Sequence, residues 1–280
     1  MHERRIERLL TCAALSSIAI LALIILFIFK EGIGAVRHTG VLNFLVGSRW
    51  SPSREVFGIF PMIVGSLWVT VGALLLGAPL GILCAVFLSE FAPPKIANLA
   101  RVSVQMLAAI PSVVYGFIGL VVVVPLIREY LGGPGFSVMA SSIVLATMIL
   151  PTVISISLDA IEALPSSYKE GAIALGATKW QAVAMVILPS ARSGILAAVI
   201  LGMGRALGET MAVIMVAGNA LSVPTGALAP VRTLTSGIAL EMGYATGLHR
   251  QALFGMGIVL LLLILGLNLI ASSVGRGVRR

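Results

Sequence analysis

SSYKEGAIALGATKWQAVAMVILP, residues 166–189, is a polar island between two apolar runs long enough to cross a bilayer. Within it, Ser167-Tyr168-Lys169-Glu170 and Thr178-Lys179-Trp180-Gln181 each have the form of a capping box, in which a hydroxyl and an acid or amide three residues later satisfy each other's free backbone amides. Two short helices are predicted to start there. Gly176 precedes the second box, where a residue that tolerates left-handed dihedrals ends one helix and lets the next leave at an angle. Tyr168, Ala172 and Leu175 form an apolar stripe on the first helix, and Trp180, Val183 and Ile187 mark the second. A rigid, amphipathic, two-helix knuckle on one loop of a membrane protein is a docking element for something outside the bilayer. A helix lying on lipid is the competing reading.

Outward from the island the chain is apolar. It has 280 residues, 59% hydrophobic and only 11% charged, with a mean hydropathy of +1.08, which places it among polytopic membrane proteins. A span takes roughly 20 apolar residues at about 1.5 Å each. Runs of that size predict helices near 9–29, 59–88, 103–126, 138–158, 194–217 and 253–274. The fold expected is an all-α membrane protein of six transmembrane helices with both termini cytoplasmic. Its parts are an N-terminal anchor helix and outer segment over 1–58, a core of five spans over 59–274 holding the polar island 166–189, and a tail over 275–280.

The orientation follows from basic residues in short loops. An inside N-terminus puts Arg4, Arg5, Arg8, Lys95, Arg101, Lys169, Lys179, Arg192, Arg276, Arg279 and Arg280 in the cytoplasm, against Lys30, Arg37, Arg49, Arg54, Arg128, Arg232 and Arg250 outside. The formal charge of +8 thus reflects topology. A nucleic-acid partner is excluded, because no basic stripe carries interleaved aromatics. The first apolar run is about twice the usual signal-peptide core and lacks a small-x-small cleavage site, so it reads as a retained anchor. Cys12 and Cys84 fall inside apolar runs and pack as small hydrophobes, giving no disulfide framework. His2, His38 and His249 lack ligand spacing, so no metal site is expected.

Pro79, Pro111 and Pro151 sit inside predicted spans and Pro61 near the start of one, so kinked helices compensated by neighbours are expected. Gly77 and Gly81, and likewise Gly204 and Gly208, are four apart, a spacing that lets helices approach closely; a hinge is the alternative. In the outer stretch 218–252, Leu234, Ile238 and Met242 recur at helical spacing and predict a short amphipathic helix at the membrane interface. No duplicated half at a fixed period is visible.

Arg205 and Glu209, four residues apart on the fifth predicted span, would share one helix face. Ionisable groups within the bilayer cost at least ~2.5 kcal/mol and usually face a bundle interior or an aqueous path. The planar guanidinium fork suits the paired oxygens of an oxyanion such as phosphate, with Glu209 holding the fork and Thr210 adding a hydroxyl. The alternative is that the two charges neutralise each other and lock a helix interface. Ser112 and Tyr115, beside Pro111, could line the same path or satisfy a kinked backbone.

From Glu170 the run Glu170-Gly171-Ala172, then Gly176, then Val186-Ile187-Leu188-Pro189 resembles the EAA signature of ABC importer permeases, Glu-Ala-Ala, three residues, Gly, nine residues, Ile-x-Leu-Pro. Gly171 and Val186 depart mildly from it. Residues 57–65 (FGIFPMIVG), 107–116 (LAAIPSVVYG) and 204–212 (GRALGETMA) are similar to stretches of the phosphate-specific transport permeases, and within them to the C-type subunit. The resemblance implies a type I ABC importer permease fold in the inner membrane, multi-pass. It implies as partners an ATP-binding subunit dimer, a second permease of A type, a periplasmic phosphate-binding protein and membrane lipid. Glu170, Gly171, Ala172, Gly176, Leu188 and Pro189 would then couple to the ATPase.

The chain has no Gly-x4-Gly-Lys-Ser/Thr loop, so no catalytic residues or cofactor are expected in it, and ATP with Mg2+ belongs to the partner ATPase. The expected function is translocation of inorganic phosphate by alternating access, with the anion passing near Arg205. Sulfate, molybdate or phosphonate are alternative substrates. An ATP-independent anion channel or carrier, or a membrane scaffold, are alternatives of a different class.

Overall fold

A computed structural model describes residues 2–277. Arg279 and Arg280 of the expected tail lie outside the described residues, as do the side chains of Arg4, Arg5, Arg8 and Arg276. In chain order, α1 (His2–Thr39) and α2 (Val41–Val46) lead to a two-stranded hairpin, β1 (Trp50–Ser51) and β2 (Val56–Phe57). Then follow α3 (Phe60–Val86) with a π turn Phe87–Phe91, α4 (Pro94–Ala109), α5 (Ser112–Ile118), α6 (Val124–Tyr130) and α7 (Val138–Glu162). The second half has α8 (Ser166–Ala174), α9 (Lys179–Ala182), a π turn Val183–Ile187, α10 (Leu188–Gly208), α11 (Met211–Val216), α12 (Leu234–Glu241) and α13 (Gly247–Gly277).

Among the described residues six helices are long and apolar enough to cross a membrane, matching the number read from the sequence. Helices are the form such runs must take, since lipid offers no partner to a backbone amide. Their edges differ from expectation where packing intervenes. The third span runs Ser112–Tyr130, not 103–126, because Pro111 pushes Ile110 into an extended conformation (φ −67°, ψ 128°) and separates α4 from α5. The fifth runs Lys179–Gly208, not 194–217; it absorbs the second half of the polar island and stops at Glu209 (φ −69°, ψ 132°).

The centre of the molecule is the α3–α7 pair. Gly77 and Gly81 put the α3 backbone against α7 so closely that a Cβ on Gly77 would lie 2.8 Å from Ile149 and one on Gly81 2.8 Å from Val153. The Ser142 hydroxyl donates to the Val69 carbonyl across the same seam at 3.3 Å. A Gly77→Val substitution is therefore expected to overpack this seam and cost about 1–3 kcal/mol, read as a lower thermal unfolding midpoint of the purified protein. Gly204 and Gly208 behave differently: a Cβ on either meets nothing within 4 Å. The close approach expected of them does not occur among the described residues.

Three apolar clusters are stacked along the spans. The middle one joins Val69, Val124, Val144, Met148, Ala212 and Val216. At one end Phe44, Trp50, Phe57, Ile59, Leu234 and Met256 bring α2, the hairpin, α12 and α13 together. At the opposite, knuckle end, Val86, Leu88, Ile154, Leu158, Val183 and Ile187 close the bundle. Between α11 and α12 the loop lends its Ala229 and Ala227 carbonyls to the free amides of Val138 and Met139 at the start of α7 (3.0 and 2.8 Å), groups that a helix cannot satisfy itself. The predicted helix over 233–242 exists as α12, capped by Thr233 and Ser236. It is not an interfacial piece lying on lipid: Leu234 is fully buried, and Ile238 and Met242 pack on the same cluster.

Candidate functional site

Arg205 occupies the last turn of α10, where its charge complements the helix C-terminus. The side chain is exposed in the single chain and makes no ion pair among the described residues. The expected Arg205–Glu209 pairing on one helix face is thereby corrected. Because α10 ends at Gly208, Glu209 is no longer one helical turn above Arg205, and its carboxylate instead accepts the Ala212 amide at 3.2 Å to cap α11. The Glu209 carbonyl accepts the Thr235 hydroxyl at 2.8 Å, and the Thr210 hydroxyl donates back to the Gly208 carbonyl at 3.2 Å. Local and long-range groups together satisfy a backbone broken inside the membrane, which is tolerated where the chain is buried in protein or lines a cavity. Broken spans of this kind build the binding sites of many transporters.

The structure brings the other two path candidates beside this break. Gly116 of α5, next to Tyr115, packs on α11 closely enough that a Cβ would sit 2.8 Å from Ala212 Cα. The Tyr115 hydroxyl donates to the Leu107 carbonyl at 2.8 Å. It closes the gap left at the Ile110–Pro111 break and thus serves the kinked backbone. Ser112, in the first turn of α5, is half-buried.

At the knuckle, the first expected capping box is absent: α8 starts two residues earlier, with Pro165 in place of Ser167 at the N-cap and no side-chain cap. Pro165 is extended (φ −59°, ψ 137°), so Ser166, Ser167 and Glu170 all lie inside the helix, and Ser167 is no longer in the capping position. The second box is present in full, the Thr178 and Gln181 side chains exchanging bonds with each other's backbone amides. Between them Gly176 has φ +90°, and the Gly176 and Ala177 amides reach back to the Ile173 and Ala172 carbonyls (2.9 and 3.1 Å), the Schellman arrangement that ends α8. Leu175 is 91% and Trp180 58% exposed, with Tyr168 and Ile173 half out. Glu170 and Gly171 are exposed and Ala172 half-buried, and Glu170 forms no ion pair among the described residues. Val183 and Ile187, by contrast, are buried in the bundle, so the second stripe is split between docking and anchoring. Leu188 is half-buried and Pro189 exposed at the start of α10. Beside the knuckle, the Arg101 guanidinium of α4 grips the Glu162 carboxylate at the end of α7 with two bonds. That hydrogen bond raises the Arg101 pKa, against the opposing effect of burial.

Residues 77–280 match the family described as "Binding-protein-dependent transport system inner membrane component". The chain belongs to that family. It is 42% identical to the "Probable ABC transporter permease protein YqgH" of Bacillus subtilis over 94% of this chain and 87% of that one. It is 38% identical to the "Phosphate transport system permease protein PstC" of Haemophilus influenzae over 78% of this chain and 76% of that one. Among solved structures, a bacterial alginate ABC transporter bound to its periplasmic protein aligns with a TM-score of 0.63 and 21% identity over 94% of each chain. The MetNI methionine transporter aligns at 0.59 and 22% identity over 83% of this chain and all of the other. The fold is that of type I ABC importer permeases, and the chain is a multi-pass component of the inner membrane.

One constellation of this permease is absent from the sequence reading. Glu241, at the end of α12 and buried, accepts Trp50 Nε1 at 2.9 Å, Arg232 Nη1 at 2.6 Å and shares a hydrogen bond with His249 Nε2 at 2.8 Å. Arg232 Nε also donates to the Asn219 carbonyl at 3.1 Å. The available signal was that Glu241 is the sole acid between residues 218 and 252, with Arg232 and His249 a few turns to either side. Trp50, 191 residues away, left no local trace.

Proposed function

We propose that this chain is the C-type membrane subunit of an ATP-driven importer of inorganic phosphate. It would pair with an A-type permease, with an ATP-binding dimer on the knuckle and a phosphate-binding protein on the opposite face. Several relatives at 32–38% identity carry the name PstC, phosphate transport system permease. The observation that carries the reading is the exposed, unpaired guanidinium of Arg205 at a broken membrane helix. In lipid such a charge costs ~2.5–3.5 kcal/mol even on insertion scales. A second permease across from it, enclosing a polar route, removes that cost and supplies a path for an anion. Glu209, Thr210 and Tyr115 shape the walls of the route by holding the breaks at 209–210 and 110–111, and Ser112 stands beside the second break at the start of α5.

With the knuckle on the cytoplasmic side, both termini are cytoplasmic and the hairpin and α12 face the periplasm. The N-terminal anchor and hairpin of 1–58 then pack on a core of 59–274. Energy enters from the partner's ATP and Mg2+, because this chain has no phosphate loop. Leu175, Tyr168 and Trp180 offer the apolar contact, Glu170, Gly171 and Ala172 the charged and small surface beside it, and Gly176, Leu188 and Pro189 set its angle.

The test is uptake of radiolabelled phosphate by vesicles holding the complete complex, with and without ATP and the binding protein, and with unlabelled sulfate or molybdate as competitor. ATP-dependent uptake that only phosphate competes away supports the reading, whereas equal competition by sulfate transfers it to another oxyanion. Glu170→Lys is expected to leave the membrane fold intact and to uncouple ATP hydrolysis from uptake; unchanged uptake would remove Glu170 from the docking surface.

A further inference from the structure

Helix α8 is poorly held by its own chain. It buries no residue, follows α7 after a three-residue turn and ends on the left-handed Gly176. Among the described residues its side chains make one polar contact to another element, from Lys169 Nζ to the Glu90 carboxylate. Glu90 belongs to the π turn Phe87–Phe91 that finishes α3, and its side chain is only 9% exposed. A carboxylate so buried needs its cation, since removing one partner leaves an uncompensated charge. The neighbouring Phe91 receives the other half of the knuckle: the Lys179 ammonium lies 5.0 Å from its ring centre and the Trp180 ring 6.3 Å away. One turn at the end of α3 thus grips both sides of the Gly176 bend, α8 by charge and α9 by a cation over an aromatic ring.

The far end of the same helix touches the anion route. α3 runs from Phe60 through the π turn to Phe91 without interruption and is bound along its length to α7 through Gly77 and Gly81. Near its start the Ser66 hydroxyl accepts the Leu234 amide at 2.9 Å. Leu234 is adjacent to Thr235, whose hydroxyl holds the Glu209 carbonyl at the break above Arg205. Hydrogen bonds and one packed helix therefore form a contiguous connection from the knuckle to the break, the physical kind of network along which two sites can be coupled.

We propose that Lys169 and Glu90 are positioning residues for transport, a strut that transmits displacement of the coupling helix α8 into α3 and so to the Glu209 break. This rests on the reading of α8 as the ATPase contact. The experiment uses the complete complex in vesicles and measures phosphate imported per ATP hydrolysed, for wild type, Lys169→Glu, Glu90→Lys, the double swap Lys169→Glu/Glu90→Lys, and the milder Glu90→Gln and Lys169→Arg. Copurification of the ATPase is measured alongside. The expected result is a loss of about tenfold in phosphate per ATP for Lys169→Glu, Glu90→Lys and Glu90→Gln with the ATPase still bound, near-normal coupling for Lys169→Arg, and recovery in the double swap. A role confined to folding would lower the amount of complex and leave the ratio unchanged, and that result overturns the strut. So does a double swap no better coupled than its worse parent, or a Glu90→Gln complex that couples normally. Wild-type uptake that needs no ATP would overturn the reading of α8 itself; normal wild-type coupling with every variant equally coupled would overturn the strut alone.

Discussion

Phosphate uptake by vesicles carrying Arg205→Gln is expected to fall by one to two orders of magnitude while the complex assembles normally. The size follows from the chemistry of the group. Hydrogen bonds to a charged partner contribute about 1.5–3 kcal/mol each, and roughly 1.4 kcal/mol is a factor of ten in rate. On the broken span itself, α10 and α11 carry two cations, Arg192 near the knuckle end and Arg205 at the break, so Arg205 is the one placed to meet a multiply charged anion there. Arg205→Lys should fall between wild type and Arg205→Gln, since an ammonium keeps the charge and loses the planar fork. The geometry of Glu209 adds a second check. Its carboxylate caps α11 through the Ala212 amide and does not pair with Arg205, so the effects of Glu209→Gln and Arg205→Gln on uptake should add in the double variant. Strong coupling between them would restore the ion pair expected on an unbroken helix. Normal uptake by Arg205→Gln would move the anion route to Ser112, Tyr115 and the partner permease.

Glu241→Ala should be the most destabilising single substitution outside the apolar clusters. Its side chain is 8% exposed, and the Arg232 and His249 side chains that meet it are 14% and 13% exposed. Removing the carboxylate strands the Arg232 guanidinium and the Trp50 indole N–H in a site that water scarcely reaches. Breaking a buried pair from one side costs about 3–5 kcal/mol, enough to separate the hairpin from α12 and α13. The thermal midpoint of the purified complex should drop accordingly. Arg232→Gln/Glu241→Gln should be less damaging than Glu241→Gln alone, because the double variant leaves no unpaired charge. A midpoint unchanged by Glu241→Ala would mean that the apolar contacts of Phe44, Phe57 and Leu234 hold this end unaided.

Much of the architecture was legible along the chain because lipid imposes a simple rule. A run of about 20 apolar residues must satisfy its own backbone and can do so only as a helix, so the six spans were readable by composition alone. The Thr178–Gln181 capping box and the Gly176 bend were readable for a similar reason, their bonds being made within a few residues of each other. Where proline stood at the boundary, local reading was incomplete: Pro165 took over the start of α8 from Ser167, and Pro111 shortened the third span.

The features that matter most for transport were set by partners distant in sequence. Residues 204–212 read as continuous helix, and the break at Glu209 is held by Thr235, 26 residues further on. Gly77-x3-Gly81 and Gly204-x3-Gly208 are alike as patterns, yet the first pair meets α7 and the second meets nothing among the described residues. Glu90, Lys169, Trp50 and Glu241 are ordinary polar or aromatic residues until the bundle closes around them. Periodicity and caps are short-range properties of a chain, and they give the number of spans, the knuckle and the family. Which charge is paired, which glycine is packed and where a helix breaks depend on what lies across a few ångströms of space, and that follows from the packing of the whole bundle.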